Sequence, residues 1–190
     1  MSDFVHLHLH SDFSLLDAAQ KVKTIVERVK ELGMNAVALT EHGNLFSAIH
    51  FANAAKKLGV KPIFGCEVYV AKDGRFDNTP PPKGEGQRYN HLVLLAMNNT
   101  GWHNLIKLTS LGYLEGFYYK PRIDMELLQK YNEGLIALSA CIKGAVPEAA
   151  IKSGYEAARA AALDLSRVFP GRFYFCLLYT SPSPRDRTRS

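Results

Sequence analysis

Hydrophobic and polar positions along the chain predict strands and helices that alternate. The segment 4–9 alternates apolar and polar residues with period two, as a half-buried strand does. Short apolar runs predict further strands over 35–40, 61–71, 91–97 and 135–140, and RFYF opens another near residue 172. Periodicity or composition predicts helices between them, over 22–32, 45–59, 102–114, 124–132 and 146–169, and Gly33 and Gly59 are placed to end the first two. Residues 72–88 have the composition of a loop.

This alternation predicts the fold class. Strands that alternate with helices of this length are typical of βαβ units in an α/β protein with a mostly parallel sheet. The strands are nearly continuous apolar runs, which predicts helices on both faces of the sheet. Two architectures fit: an open doubly wound sheet, or a (β/α) barrel that is incomplete at the C-terminus. No glycine-rich nucleotide-binding motif follows a strand, which weakens the first.

Composition narrows the class further. The 190 residues are 47% hydrophobic and 22% charged, as in ordinary globular proteins, which excludes a disordered chain. We expect no membrane segment, because no apolar run approaches the roughly 20 residues that cross a bilayer. The N-terminus does not have the pattern of a secretory signal, and three cysteines are a sparse, odd set. We therefore expect a cytoplasmic protein.

The last residues differ from the rest. Residues 177–190 are rich in Ser, Pro and Arg and carry +2 of the net charge of +5, so the surplus on 1–176 is small for a nucleic-acid-binding protein. Two interpretations are open: a natural disordered tail, or a non-native remnant of gene processing. In either case we expect one partial domain over 1–176, and we expect the natural protein to continue beyond it.

Histidines are concentrated on the first predicted strand. His6, His8 and His10 alternate there, so a regular strand would place all three side chains on one face. A histidine-rich sheet edge is the simple structural interpretation. Imidazoles at this spacing on an apolar strand are costly, however, unless something binds them.

Other metal-binding side chains are found near the ends of later strands. His42 and Cys141 follow their strands, Glu67 lies within one, and His91 opens one. Asp17 is a further candidate, with a helix N-cap as an equally good interpretation. Each residue alone is weak evidence for a metal site, because lone buried His and Cys residues are usually structural. The ends of parallel strands converge on one crevice, however, so together they predict a metal site.

The donor types restrict the chemistry. Imidazole, carboxylate and thiolate suit Zn, Mn or Fe, and this many donors could hold more than one ion. Metal ions about 3.5–4 Å apart are the usual arrangement for phosphoester hydrolysis.

The ordered motifs LHLHSDFS, TEHG, GCEVYV, YNHLVLLA and LSAC resemble those of the polymerase-and-histidinol-phosphatase (PHP) superfamily. Longer phrases, such as YLEGFYYKPRIDMELL, resemble the PHP domains in the alpha-subunit family of bacterial replicative DNA polymerases. The resemblance covers residues 3–175. It implies a distorted (β/α) barrel of the TIM-like type, with a cleft for two or three metal ions in the complete domain.

The resemblance also implies roles for particular residues. His8 and His10 match the paired histidines of the first motif, which His6 precedes. The later ligand positions are matched, in order along the chain, by Asp17, His42, Glu67, His91 and Cys141. Lys120 and Arg122 are candidate phosphate contacts, with a solvated basic turn as the alternative.

Three departures from the family pattern stand out. Glu41 replaces the usual aspartate of TDHG, and Ala18 replaces a usual glycine. The last metal motif of the family, Asp-x-His, is expected beyond residue 176, so the barrel and its metal site are expected to be incomplete.

The resemblance implies two functions for different parts of a longer protein. The parent would perform template-directed DNA synthesis, with DNA and other replicase subunits as partners, but its polymerase carboxylates are absent from this chain. The PHP site would be a metal-dependent phosphoesterase, either a 3′–5′ exonuclease or a pyrophosphatase, or else a structural scaffold. The alternative is a free-standing phosphatase that acts on a small phosphate monoester such as histidinol phosphate.

Overall fold

The computed structural model describes residues 4–15, 17–83 and 86–176. Within them the strands are β1 (Ala36–His42), β2 (Lys61–Ala71), β3 (Tyr89–Ala96), β4 (Phe117–Tyr118), β5 (Lys120–Ile123), β6 (Leu135–Leu138) and β7 (Phe173–Tyr174). The helices are α1 (Val22–Glu31), α2 (Ala48–Leu58), α3 (Asn99–Leu114), α4 (Met125–Lys130), α5 (Ala145–Ser153) and α6 (Tyr155–Val168). The tail, 177–190, lies outside the described residues, so the expectation for it stays a prediction.

Strand β3 is antiparallel to both of its neighbours in the sheet. β2 pairs in parallel with β1 and β5, and β6 pairs in parallel with β7. β3 lies between β2 and β6 and is antiparallel to both. The sheet is therefore mixed. The physical reason is the connection over 72–88, whose described residues form no helix, because a parallel return to the sheet needs a crossover that is usually helical.

The helices pack on one face of the sheet. In one core cluster α3, α4, α5 and α6 pack against residues such as Leu94 of β3, and in a second α1 and α2 pack against Val37 and Leu39 of β1. The opposite face carries a third cluster, which includes Val93 and Leu95 and contains no helix residue. The α/β class is confirmed, and the prediction of helices on both faces is wrong. Helices on one side favour the barrel over the doubly wound sheet.

The N-terminal segment lies alongside β1 without forming a regular strand. The carbonyl oxygens of His6 and Leu9 accept hydrogen bonds from the backbone N–H groups of Ala38 and Thr40. The donors are two residues apart but the acceptors are three apart, so one extra residue interrupts the ladder, as in a bulge. The predicted strand over 4–9 is therefore wrong, and the strict alternation of its histidines is lost.

Two other elements differ from their predictions. The single helix predicted over 146–169 is broken into α5 and α6 at Gly154, whose φ of 83° lies in the left-handed region. The short strands β4 and β5 form a hairpin that the apolar pattern did not indicate. By contrast, Gly33 and Gly59 adopt positive φ directly after α1 and α2, as the sequence predicted. None of the described helices is long and apolar enough to cross a bilayer.

A close backbone contact holds the start of α3 against β6. A β-carbon at Gly101 would lie 1.8 Å from the carbonyl oxygen of Gly134, so Gly101→Ala requires the backbone to move. We expect this variant to lose about 1–3 kcal/mol of unfolding free energy, as over-packed sites do. At Gly86 no atom of the described residues lies within 4 Å of an added β-carbon, so Gly86→Ala is the matched control and should change the unfolding free energy by less than about 0.5 kcal/mol. Urea denaturation measures both, and equal stabilities would contradict the packing argument.

Candidate metal centre

Strand alternation places three donors on the face of the sheet opposite the helices. In their strands, His42, Glu67 and His91 are each an even number of positions from a residue of the third core cluster. Their side chains therefore lie on the same face of the sheet as that cluster. His42 pairs in register with Glu67, and His91 pairs with Tyr69 two residues further along β2. Because β3 is antiparallel, its first residues lie at the edge where β1 and β2 end. The position of His91 at the start of its strand therefore brings it to the other donors.

The Glu67 carboxylate lies at the centre of the cluster. Its side chain is only 1% exposed, and its Oε2 lies 2.5 Å from Nε2 of His8, 3.0 Å from Nε2 of His10 and 3.8 Å from Nδ1 of His42. Its Oε1 accepts a short hydrogen bond from Nδ1 of His91. The residues His8, His10 and Glu67 form one group with ligand atoms within 4.8 Å of one another, and His42, Glu67 and His91 form another.

Glu41 anchors the segment that carries the first two histidines. Its buried carboxylate accepts hydrogen bonds from the backbone N–H of Ser11, at 3.1 Å, and from the hydroxyl groups of Ser11 and Ser14. The Ser14 hydroxyl in turn accepts the N–H of His42. The Glu41 carboxylate is therefore hydrogen-bonded to serines, and Glu41 belongs to neither of the two groups of candidate metal ligands.

Asp17 lies in the loop before α1. Its carboxylate accepts a short hydrogen bond from Nε2 of His42. The helix begins at Val22 with Lys21 in the cap position, so the alternative of an N-cap at Asp17 is wrong. The ring of His42 also stacks on that of His10, with centroids 4.1 Å apart.

Two cysteines and a lysine also lie close to the cluster around Glu67. Sγ of Cys141 lies 3.8 Å from Nδ1 of His91, and Sγ of Cys176 lies 3.8 Å from Nδ1 of His8. Lys143 lines the same pocket, which has a volume of about 320 Å³. Neither Lys143 nor Cys176 was predicted from the sequence, although Cys176 comes shortly after β7 as Cys141 comes shortly after β6. The pocket is lined by Lys143 together with His8, His10, Asp17, His42, Glu67, His91 and Cys141.

Three other residues named from the sequence lie elsewhere. His6 is exposed and its ring packs against Phe4. Arg122 is 2% exposed, and its guanidinium group donates to the carbonyl oxygens of Gly116, Arg75 and Asp77. It is neither in a solvated turn nor in the pocket, because these carbonyls occupy it. Lys120 is exposed and lines an adjoining cavity.

The electrostatics keep the central carboxylate ionised. Burial by itself raises the pKa of Glu67, but hydrogen bonds from His10, His8 and His91 outweigh burial and hold its pKa far below the ordinary value. Burial lowers the pKa of His91, but contacts with Cys141 and Glu67 outweigh it and raise that pKa to about 9. Burial is the main cause of the lowered pKa of His42.

The donor set fits divalent metal ions. Nδ1 of His10 and Nδ1 of His42 are buried and have no hydrogen-bond partner among the residues that the structure describes. Unpaired buried nitrogen atoms are costly, and a ligand in the pocket would relieve that cost. Imidazole nitrogens around an ionised carboxylate, with thiols at the margin, are suitable ligands for Zn, Mn or Fe.

The thiol groups should differ in reactivity. Burial raises the pKa of Cys66, which is fully buried. At Cys141 burial acts the same way, but the contact with His91 outweighs it and lowers the pKa, so more thiolate exists at neutral pH. We expect iodoacetamide at neutral pH to alkylate Cys141 at least about tenfold faster than Cys66. The rate at Cys141 should rise with pH and level off below the pH usual for cysteine, and Zn²⁺ should protect it. Peptide mass spectrometry measures each site, and equal rates would contradict the assignment.

Comparisons with known proteins identify the family of the chain. Residues 6–177 match the family model of the PHP domain. The DNA polymerase III subunit alpha of Borreliella burgdorferi is 50% identical over 173 residues, which cover 91% of this chain. The same subunit of Aquifex aeolicus is 53% identical over 145 residues, or 75% of the chain. The chain spans 15% and 12% of the lengths of these two relatives.

A solved structure supports the fold. A protein from Bifidobacterium adolescentis, described as a metal-dependent phosphoesterase, superposes with a TM-score of 0.53 over 97% of this chain and 80% of its own. At 12% identity the likeness concerns the fold alone. The family model covers most of the chain, and from this match we conclude that the chain belongs to the PHP domain family.

Proposed function

We propose that the pocket around Glu67 is the metal site of a phosphoesterase. The observation that carries this proposal is the convergence of four imidazoles, from His8, His10, His42 and His91, on one buried carboxylate in a PHP-family chain. Glu67 belongs to both donor groups, which supports a carboxylate shared between two ions. Asp17 and Cys141 are the further ligands in this proposal, which allows two or three Zn, Mn or Fe ions in a complete domain.

The chain's own residues would prepare the pocket for a phosphate group. When bound, divalent ions supply Lewis acidity toward the phosphoester and toward water. Glu67 is a carboxylate at neutral pH because its pKa is low, so it is ready to coordinate without losing a proton. The ammonium group of Lys143, on the rim, adds positive charge beside an anionic substrate.

We further propose that the chain is the PHP domain, over 1–176, of a DNA polymerase III alpha subunit. The support is the identity of about half the residues to subunits of that name. Template-directed synthesis, DNA and the other replicase subunits then belong to the parent protein in the bacterial cytoplasm. The bond cleaved by the PHP site would be the terminal phosphodiester of a 3′ DNA end or the phosphoanhydride of pyrophosphate. A free-standing phosphatase for small monoesters uses the same ligands but leaves the polymerase relatives unexplained.

Removal of one ligand should abolish metal-dependent hydrolysis. We expect His91→Ala to lower Mn²⁺ or Zn²⁺ affinity at least about tenfold, because a donor and its contact with Glu67 are both lost. Hydrolysis of bis(p-nitrophenyl) phosphate should fall to background. His103→Ala is the matched control, since His103 is exposed on α3 and its Nδ1 lies within hydrogen-bond distance of the carbonyl oxygen of Asn99 in the same helix. Titration calorimetry measures affinity, and release of p-nitrophenol measures activity.

The outcomes separate catalysis from scaffolding. Tight metal binding that depends on His91, without hydrolysis of any phosphoester, would indicate a structural metal site. Equal metal affinity of His91→Ala and His103→Ala would contradict the proposed ligand set.

The gene provides a separate test of the parent protein. We expect the reading frame of the natural locus to continue after codon 176 and to encode an Asp-x-His motif and polymerase carboxylates. Sequencing the locus decides this. A frame that closes after one barrel would instead support the small-molecule phosphatase.

A further inference from the structure

A second cavity adjoins the metal pocket and is lined by aromatic rings. Its volume is about 470 Å³, and it shares Asp17, His42, His91 and Lys143 with the pocket. We call it the aromatic groove and define it by five of its aromatic lining residues and one lysine: Phe46, Tyr69, Tyr113, Phe117, Tyr119 and Lys120.

Several of these rings are exposed to solvent. Phe46 is 66% exposed, Phe117 is 56% exposed and Tyr119 is 82% exposed. Single exposed apolar residues are ordinary, but a group of them along one cavity is typical of a binding site. The rings are also ordered against one another, since Tyr113 and Phe117 stack with centroids 6.1 Å apart.

The backbone at Tyr119 is a second, independent observation. Tyr119 lies between β4 and β5. Because Tyr118 pairs with Lys120, Tyr119 forms the tip of the hairpin. Its φ of 56° is in the left-handed region, which a glycine adopts without steric cost and a bulky residue does not. A tyrosine at this position therefore holds an exposed ring at the mouth of the groove at the expense of backbone strain, a pattern common at functional sites.

The charges of the groove suit an anion that carries flat rings. Nζ of Lys120 lies 5.5 Å from the ring centroid of Tyr69, and Lys143 lies where the groove meets the metal pocket. Asp17 is the acidic residue among the described lining residues, and its carboxylate is engaged by His42. The groove thus offers aromatic faces and two ammonium groups beside a proposed phosphoesterase site.

We propose that the aromatic groove binds the bases of single-stranded nucleic acid. Bases would stack on Tyr119 and Phe117, and the backbone phosphates would face Lys120 and Lys143, which leads the strand toward the metal pocket. Aromatic stacking combined with lysines is the usual way in which proteins hold single strands without sequence preference. This inference rests on the proposed function for the identity of the adjoining site, and it names the polymeric, base-bearing class of its substrate.

Binding without metal tests the inference apart from catalysis. The probe is a short fluorescein-labelled oligothymidylate, compared in EDTA with an abasic deoxyribose-phosphate oligomer of the same length and charge. We expect the abasic oligomer to bind the chain at least about fivefold more weakly, because stacking is lost while charge is kept. Fluorescence anisotropy measures both affinities.

Variants locate the effect in the groove. Tyr119→Gly removes the ring and suits the positive φ, so a folding defect is not expected, and Phe117→Ala removes a second ring. Each should weaken oligothymidylate binding about fivefold or more and leave abasic binding unchanged, whereas Tyr119→Trp should retain affinity. Tyr155→Ala is the matched control, because Tyr155 is an exposed tyrosine at the start of α6 and outside the groove.

The inference and the proposed function can fail separately. Equal binding of the two oligomers, or unchanged binding of both Tyr119→Gly and Phe117→Ala, overturns the inference. A protein segment as the true occupant of the groove would give that result. Base-dependent binding without hydrolysis of bis(p-nitrophenyl) phosphate would support the inference and count against the phosphoesterase.

Discussion

The site depends on one buried negative charge. A carboxylate withdrawn from water is tolerated only when hydrogen bonds or opposite charges replace the lost hydration. Glu67 obtains them from imidazoles that come from three separate parts of the chain: the N-terminal segment, β1 and β3. The side chains that compensate this charge are themselves nitrogen donors, so the same contacts produce a cluster of nitrogen and oxygen donors. Folding and the capacity for metal binding therefore rest on the same contacts.

A second buried carboxylate supports the first. Glu41 lies in β1 directly before His42, so strand alternation turns its side chain to the other face. Its hydrogen bonds to Ser11 and Ser14 hold the N-terminal segment against the end of the strand. This attachment carries the first two histidines to Glu67, although that segment forms no regular strand. The longer side chain of Glu41, compared with the aspartate usual in the family, is satisfied by these two serines.

Two buried arginines shape the surroundings of the aromatic groove. Arg75 pairs with Asp124, the N-cap of α4, at 2.9 Å. Arg122 of β5 donates to two carbonyl oxygens within the loop 72–88 and to that of Gly116. These bonds fasten the start of the loop to the hairpin of β4 and β5. The exposed rings of that hairpin are thereby presented on a fixed support beside the metal pocket.

The sequence by itself determined the local features: most strands and helices, the glycines after α1 and α2, and the set of candidate donors. Periodicity and donor type are properties of short segments, so they can be read without the fold. The tertiary structure alone decided which groups meet. His91 reaches Glu67 because β3 runs antiparallel. Lys143 and Cys176 reach the cluster because they follow β6 and β7. Arg122 lies outside the metal pocket because carbonyl oxygens of other segments bind its guanidinium group. Strand direction and hydrogen-bond partners depend on residues far apart in the chain, and no local pattern encodes them.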